Sequence, residues 1–213
     1  MIGREEQRAQ QVLARLKARY PDVKYYLNFS SPLELLVATI LSAQARDEAV
    51  NAVTAQLFQK YKTAEDYAHA PLEQLENDLQ KINFYRNKAR AIQEACKVLL
   101  EQHGGRVPDT MEELVKLPGI GRKTANAILA NAFDKVEGIV VDTHVARLSR
   151  RIGLTNEKDP EKIEQDLVRL LPRSEWKRLP WLMKAHGRAI CTPKNPKCAR
   201  CVVEDLCPKI GVP

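Results

Sequence analysis

Four of the five cysteines fall in one stretch near the C-terminus, spaced Cys191-x6-Cys198-x2-Cys201-x5-Cys207. Four thiolates in a short loop-rich segment ask for a metal centre, either zinc or an iron–sulfur cluster. A zinc ribbon would pair two CxxC knuckles at a wider separation; one CxxC flanked by unequal arms favours the cluster. A second group is Leu117-Pro118-Gly119-Ile120-Gly121, with Arg122 and Lys123 directly after it. A proline and two glycines between helices let backbone amides turn outward where the second helix begins, which makes a cradle for phosphate. Contacts of that kind read the shape of a polyanion and not its bases. Lys123 would lie in the first helical turn, where the positive dipole end and Arg122 both disfavour an ammonium, so its amine is a candidate nucleophile. A solvated phosphate contact is the competing reading. Asp142 follows the apolar run Ile139 to Val141 and precedes a helix. It reads as an N-cap that can also offer a carboxylate to a site.

The elements that must position these groups are helices. Apolar residues recur with a period near 3.6 almost throughout, with little of the two-residue alternation of strands, so the chain reads as all-α. Ala9, Val12, Leu13, Leu16 and Tyr20 share one face before Pro21. Ser31 as N-cap, Pro32 at the first helical position and Glu34 reaching back open a helix over Leu35 to Leu41. Asp47 is the expected cap of the next, with Val50, Val53, Leu57, Phe58 and Tyr61 inward, and Thr63 and Pro71 open two more. Ala89, Ile92, Cys96 and Leu99 form a stripe that ends at Gly104 and Gly105, which makes Cys96 a core residue. Thr110 with Glu113, Arg122, Asp142 and Asp159-Pro160 start later helices, and a final one around Leu182 to Ile190 leads into the cysteines.

The chain has 213 residues, 44% of them hydrophobic, and 34 Lys+Arg against 27 Asp+Glu give a formal charge of +7. That is globular composition for one large or two small domains and excludes disorder and collagen-like repeats. The positive balance favours a polyanionic partner. No apolar run approaches the roughly 18 residues of a membrane span, and Arg4, Glu5, Glu6 and Arg8 leave no signal-peptide core, so a cytoplasmic location without membrane attachment is expected.

Together these features resemble the helix-hairpin-helix DNA glycosylases, most closely the endonuclease III family. The stretches that carry the likeness are Ser31-Pro32-x-Glu34-Leu35-Leu36, Leu41-Ser42-Ala43-Gln44, Leu117 to Asn126, Val141-Asp142-Thr143-His144-Val145, His186-Gly187-Arg188 and the cysteine loop. The resemblance implies two helical domains flanking a DNA-binding groove. One, over residues 29–134, is a six-helix domain with the hairpin at about 111–130. The other is an iron–sulfur domain made of residues 1–28 and 135–213.

The same resemblance implies a bifunctional DNA glycosylase and abasic-site lyase of base excision repair, a monomer acting on double-stranded DNA of the nucleoid that contains oxidised pyrimidines or abasic sites. Lys123 would form a Schiff base at C1′, with cleavage 3′ to the site by β-elimination, and Asp142 would assist as carboxylate. Gln44 would enter the gap left by the extruded nucleotide, with Gly119, Ile120, Gly121 and Arg122 on the DNA backbone. Cys191, Cys198, Cys201 and Cys207 would hold a [4Fe-4S] cluster. His144 reads as structural. Alternatives are a monofunctional adenine or mismatch glycosylase, which uses water, and a non-catalytic DNA-binding iron–sulfur protein. The chain departs from the family pattern at Asn83-Phe84-Tyr85, where Asn83 stands for a common glycine and is expected to take a left-handed cap, at Arg46, and in a longer loop from Phe133 to Gly138.

Overall fold

The computed structural model describes residues 3–212, and among these it contains helices and turns and no strand. The helices are α1 (Arg4–Arg19), α2 (Pro32–Ser42), α3 (Asp47–Lys60), α4 (Ala64–His69), α5 (Leu72–Leu79), α6 (Tyr85–His103), α7 (Met111–Leu114), α8 (Arg122–Ala132), α9 (Thr143–Ile152), α10 (Pro160–Leu170), α11 (Arg173–Trp176) and α12 (Leu179–Ala189). Short 3₁₀ turns follow at Cys198–Arg200 and Glu204–Leu206. No helix among the described residues is long and apolar enough to cross a membrane.

The chain separates into two compact units, one spanning Tyr25–Lys135 and the other joining the residues up to Lys24 to those from Val136 onward. The first boundary lies four residues before the one expected at 28/29. The reason is packing: Leu27 is buried in the core of the central unit, with Tyr25 and Phe29 against it.

The central unit holds six helices, α2 to α6 and α8, with the four-residue α7 as the short arm of the hairpin. Its α2 is apolar on every side, and Leu35, Leu36, Val37 and Ala38 are fully buried as it packs among α3, α6 and α8. The cap is local chemistry: Ser31 Oγ accepts the Glu34 amide at 3.2 Å, and Pro32 occupies the first turn, where no amide is needed. Glu34 Oε2 reaches Ser30, amide and hydroxyl both, and not Ser31 as expected. Asp47, expected as a cap, is instead the first residue of α3 and is buried, with Arg46 at the N-cap. Thr63 caps α4 in a reciprocal box with Asp66, whose carboxyl is held below the usual range by the backbone amides of Lys62 and Thr63.

Cys96 on α6 is fully buried, and burial pushes its thiol up to about 12. The thiolate is the reactive form. Native protein treated with iodoacetamide near neutral pH therefore leaves Cys96 unmodified, and peptide mapping finds it alkylated only after unfolding; labelling in the folded state would contradict the buried placement.

The other unit draws on both ends of the chain. Leu16 of α1, Val145 and Leu148 of α9, Ile163 and Leu167 of α10 and Leu182 of α12 share one fully buried core. Arg8 fastens α1 by donating to the carbonyls of Ile152 (2.6 Å), Leu206 (3.2 Å) and Gly153. Arg15 donates to the Val202 carbonyl at 3.1 Å and pairs with Asp205. Gly153 ends α9 at φ 74°, and a Cβ there would lie 2.8 Å from Pro208 Cγ, so this turn requires glycine on two counts.

Candidate functional site

Leu117 and Ile120 anchor the hairpin in the core of the central unit, and the Ile120 amide closes the turn on the Leu117 carbonyl at 3.1 Å. Gly119 takes φ 80°, and a Cβ on it would come within 3.2 Å of Ala91 Cβ. The backbone thus turns back on itself where only glycine fits. Ile120, expected among the phosphate-contacting positions, is 5% exposed and gives its amide to the turn. Among the described residues the amides at Gly119, Gly121, Arg122 and Lys123 enter no backbone hydrogen bond, and the first one returned to the helix is Ala125 to the Gly121 carbonyl at 2.9 Å. These are the orphan donors of a helix start. Arg122 and Lys123 are both exposed, Lys123 as the second residue of α8.

Asp142 lies in the other unit and caps α9. Its Oδ1 accepts the amides of His144 and Val145, each at 2.8 Å, while Oδ2 receives no hydrogen bond among the described residues. One oxygen orients the carboxylate and the other remains for chemistry. His144 is half-buried, and burial pushes its imidazole pKa down; Nδ1 lies 3.2 Å from Arg147 Nη2. Gly187 on α12 permits that approach, since a Cβ there would meet His144 Nδ1 at 2.7 Å.

Three exposed corners of the central unit hold non-glycine residues in the left-handed region: Gln44 at φ 53° between α2 and α3, Phe84 at φ 59° as N-cap of α6, and Asp134 at φ 55° after α8. The expectation that Asn83 would take the left-handed turn is corrected, because the turn falls one residue later. Phe84 is 62% exposed. A left-handed, exposed aromatic is costly twice over, in backbone strain and in hydration, and such a combination marks a candidate contact residue. Sequence reasoning passed over Phe84, although its place beside Asn83 was the available signal.

The four C-terminal cysteines are free and line a single hollow together with Arg151, His186, Ile190 and Val203. Burial pushes the thiols of Cys201 and Cys207 up, and the neighbouring cysteines push them further. Four sulfurs lining one hollow fit a cationic cluster core, which would hold them as thiolates. Among the described residues no three His, Cys, Asp or Glu side chains are set to hold one metal ion.

The surrounding polar residues serve this loop. Arg151, 6% exposed, donates to the carbonyls of Thr192 (2.7 Å) and Pro193 (2.8 Å) and approaches Cys191 Sγ at 3.5 Å. Arg147 donates to the Cys191 and Gly187 carbonyls. His186 Nε2 lies 3.2 Å from Cys201 Sγ, and its Nδ1 is 3.1 Å from Tyr20 Oη. Arg147 and Arg151 are therefore fasteners of the cysteine loop, and Lys194, Lys197 and Arg200 are exposed cations within it.

Residues 37–173 match the HhH-GPD superfamily of base excision DNA repair proteins, and residues 191–207 match the iron–sulfur binding domain of endonuclease III. The chain is 47% identical to the endonuclease III of Synechocystis sp. over 97% of its own length and 94% of that protein. It is 45% identical to the endonuclease III of Bacillus subtilis over 92% of its length and 89% of that protein. Among solved structures it resembles a trapped endonuclease III–DNA covalent intermediate, an estranged-adenine complex, with a TM-score of 0.91 and 41% identity, covering 98% of this chain and 97% of that one.

Proposed function

Since the chain belongs to the endonuclease III family of HhH-GPD base excision DNA repair proteins, we propose that Lys123 is its nucleophile, Asp142 its assisting carboxylate and oxidised pyrimidines its substrates. The activity is that of a DNA glycosylase and abasic-site lyase, and the cofactor is a [4Fe-4S] cluster. In the proposed chemistry the Lys123 amine bonds to C1′ as the C1′–N bond breaks, and the departing base takes the electron pair and a proton. The Asp142 carboxylate accepts the proton that the attacking amine loses and passes it to the departing base, and so returns to the carboxylate form. The nitrogen lone pair then opens the sugar ring, the C1′–O4′ bond breaking with its electron pair on O4′, which takes a proton from water. The Schiff base so formed acidifies C2′, and loss of a C2′ proton expels the 3′ phosphate with the C3′–O electron pair. The attacked carbon is inaccessible in the stack, so the nucleotide must be extruded first, and a damaged base, stacked less firmly, costs less to move.

The observation that carries this reading is the exposed Lys123 directly behind a row of free amides at the start of α8. Phosphate bound to those amides brings the sugar to the lysine. The covalent intermediate trapped in the solved relative supports a nucleophile supplied by protein. Gly119, Gly121 and Arg122 would hold the strand, and Gln44 and Phe84 would occupy the gap left by the extruded nucleotide. Cys191, Cys198, Cys201 and Cys207 would hold the cluster, which would order the loop bearing Lys194, Lys197 and Arg200 against phosphates. The enzyme would act as a monomer on abasic sites as well as on damaged bases, in the DNA of the cytoplasmic nucleoid. Borohydride trapping on a duplex with one thymine glycol tests the central claim: a covalent band identifies the amine mechanism, and tight binding without a band identifies a water-using glycosylase or a non-catalytic binder.

The two roles given to Asp142 separate by substitution. Asp142→Ala removes the cap, at about 1 kcal/mol, and the carboxylate. Asp142→Asn keeps an oxygen for the His144 and Val145 amides but no base. Both should slow base release by roughly 10²-fold or more, while thermal melting shows a lowered Tm for the alanine variant alone. Full activity in Asp142→Asn would reduce Asp142 to a cap.

A further inference from the structure

We infer that Lys88 is a positioning residue for Gln44, its buried ammonium holding the backbone turn that presents the glutamine. The inference rests on the reading of Gln44 as the residue that enters the gap in the DNA. Lys88 lies on α6 and is 6% exposed. Its Nζ donates to the Leu41 carbonyl at 2.8 Å and to the Ala43 carbonyl at 2.6 Å, and no carboxylate pairs with it among the described residues. Burial lowers its pKa. A buried cation without an acidic partner is costly and persists only where strong acceptors offset the lost water.

Those acceptors are the orphan carbonyls at the end of α2, where the negative end of the helix dipole also favours a cation. Helices that turn left-handed at this point usually do so with glycine. Here α2 passes through Ala43 and then Gln44 at φ 53°, with the Ala45 amide returning to the Ser42 carbonyl at 3.1 Å. The turn carries the strain of a side chain in the left-handed region, and the two bonds from Lys88 are what over-determine it. The backbone amide of the same lysine donates to the Phe84 carbonyl at 3.1 Å. One residue thus meets two of the exposed left-handed corners of the unit, that of Gln44 through its side chain and that of Phe84 through its main chain.

The test is a double-mutant cycle of Lys88→Met and Gln44→Ala, read as single-turnover base release from a duplex with one thymine glycol. A positioning residue acts only through its client. Each single variant should slow release on the order of 10-fold, since a displaced contact group costs rate without touching the chemistry, and the double variant should be no slower than Gln44→Ala. On a duplex with a preformed abasic site, where no base has to leave the stack, the Lys88→Met loss should shrink, which a general loss of folded enzyme would not do. Should Lys88→Met fail to fold, Lys88→Arg takes its place in the same cycle, because its planar head cannot meet both carbonyls in the lysine's geometry. Losses that multiply in the double variant, or no loss from the Lys88 substitution, would overturn the positioning role alone. No loss from Gln44→Ala would overturn the reading of Gln44 and the inference with it.

Discussion

Lys123→Ala leaves a protein that binds damaged duplex but neither releases the base nor cuts the strand. The side chain is exposed on the first turn of α8 and makes no contact that the fold needs, so its removal should change stability by less than about 0.5 kcal/mol. As the nucleophile its removal should cost on the order of 10³- to 10⁶-fold in rate. A lysine that only touched phosphate would behave differently. Binding would weaken, with the slope of log K against log salt reduced by about 0.9, and the chemistry would survive. Single-turnover kinetics and borohydride trapping of wild type and variant, alongside affinity at several salt concentrations, separate the two. Retained strand cleavage in Lys123→Ala would refute the assignment.

Removing one cluster ligand should have the next largest effect. Cys198→Ser is expected to abolish the broad visible absorption of an iron–sulfur protein and to weaken DNA binding steeply at fixed salt. The reason is the construction of the loop. Cys198 opens a 3₁₀ turn whose carbonyl accepts the Cys201 amide at 2.8 Å, and the adjoining Lys197 amide returns to the Ile190 carbonyl at 2.9 Å. Arg151 is buried against carbonyls of the same loop. Without a metal core nothing would tie the four thiols together and the loop would open, releasing Lys194, Lys197 and Arg200 from fixed positions. Each phosphate contact so lost lowers the salt slope by about 0.9. Iron and sulfide analysis with optical spectra checks the first part and salt-dependent binding the second. A colourless wild type with stoichiometric zinc, or undiminished DNA affinity in the variant, would contradict this account.

Much of the architecture is legible residue by residue because its causes lie within one helical turn. Ser31, Thr63, Thr110, Asp142 and Asp159 each cap the helix that follows, through side-chain oxygens two or three residues from the amides they accept. Gly104 ends α6 left-handed, and Cys96 is core. The same locality explains the errors. Asp47 has the right type for a cap, yet α3 already includes it. The left-handed residue at the start of α6 is Phe84 although Asn83 has the better intrinsic preference, so the surrounding fold overrides a local cost.

Helical periodicity, capping chemistry, the hairpin glycines and the cysteine spacing are enough to read an all-helical chain with a tight hairpin, an exposed lysine directly after it and a four-thiol centre. Packing alone assigned the long-range polar partners. Lys88 meets carbonyls more than forty residues earlier in the chain, Tyr20 meets His186 and through it Cys201, and Arg151 turns into the cysteine loop instead of toward solvent. A cap or an apolar stripe is set by energies between near neighbours in sequence. The partner of a buried polar side chain is set by whichever acceptor the completed core brings to it, and nothing in its own segment encodes that.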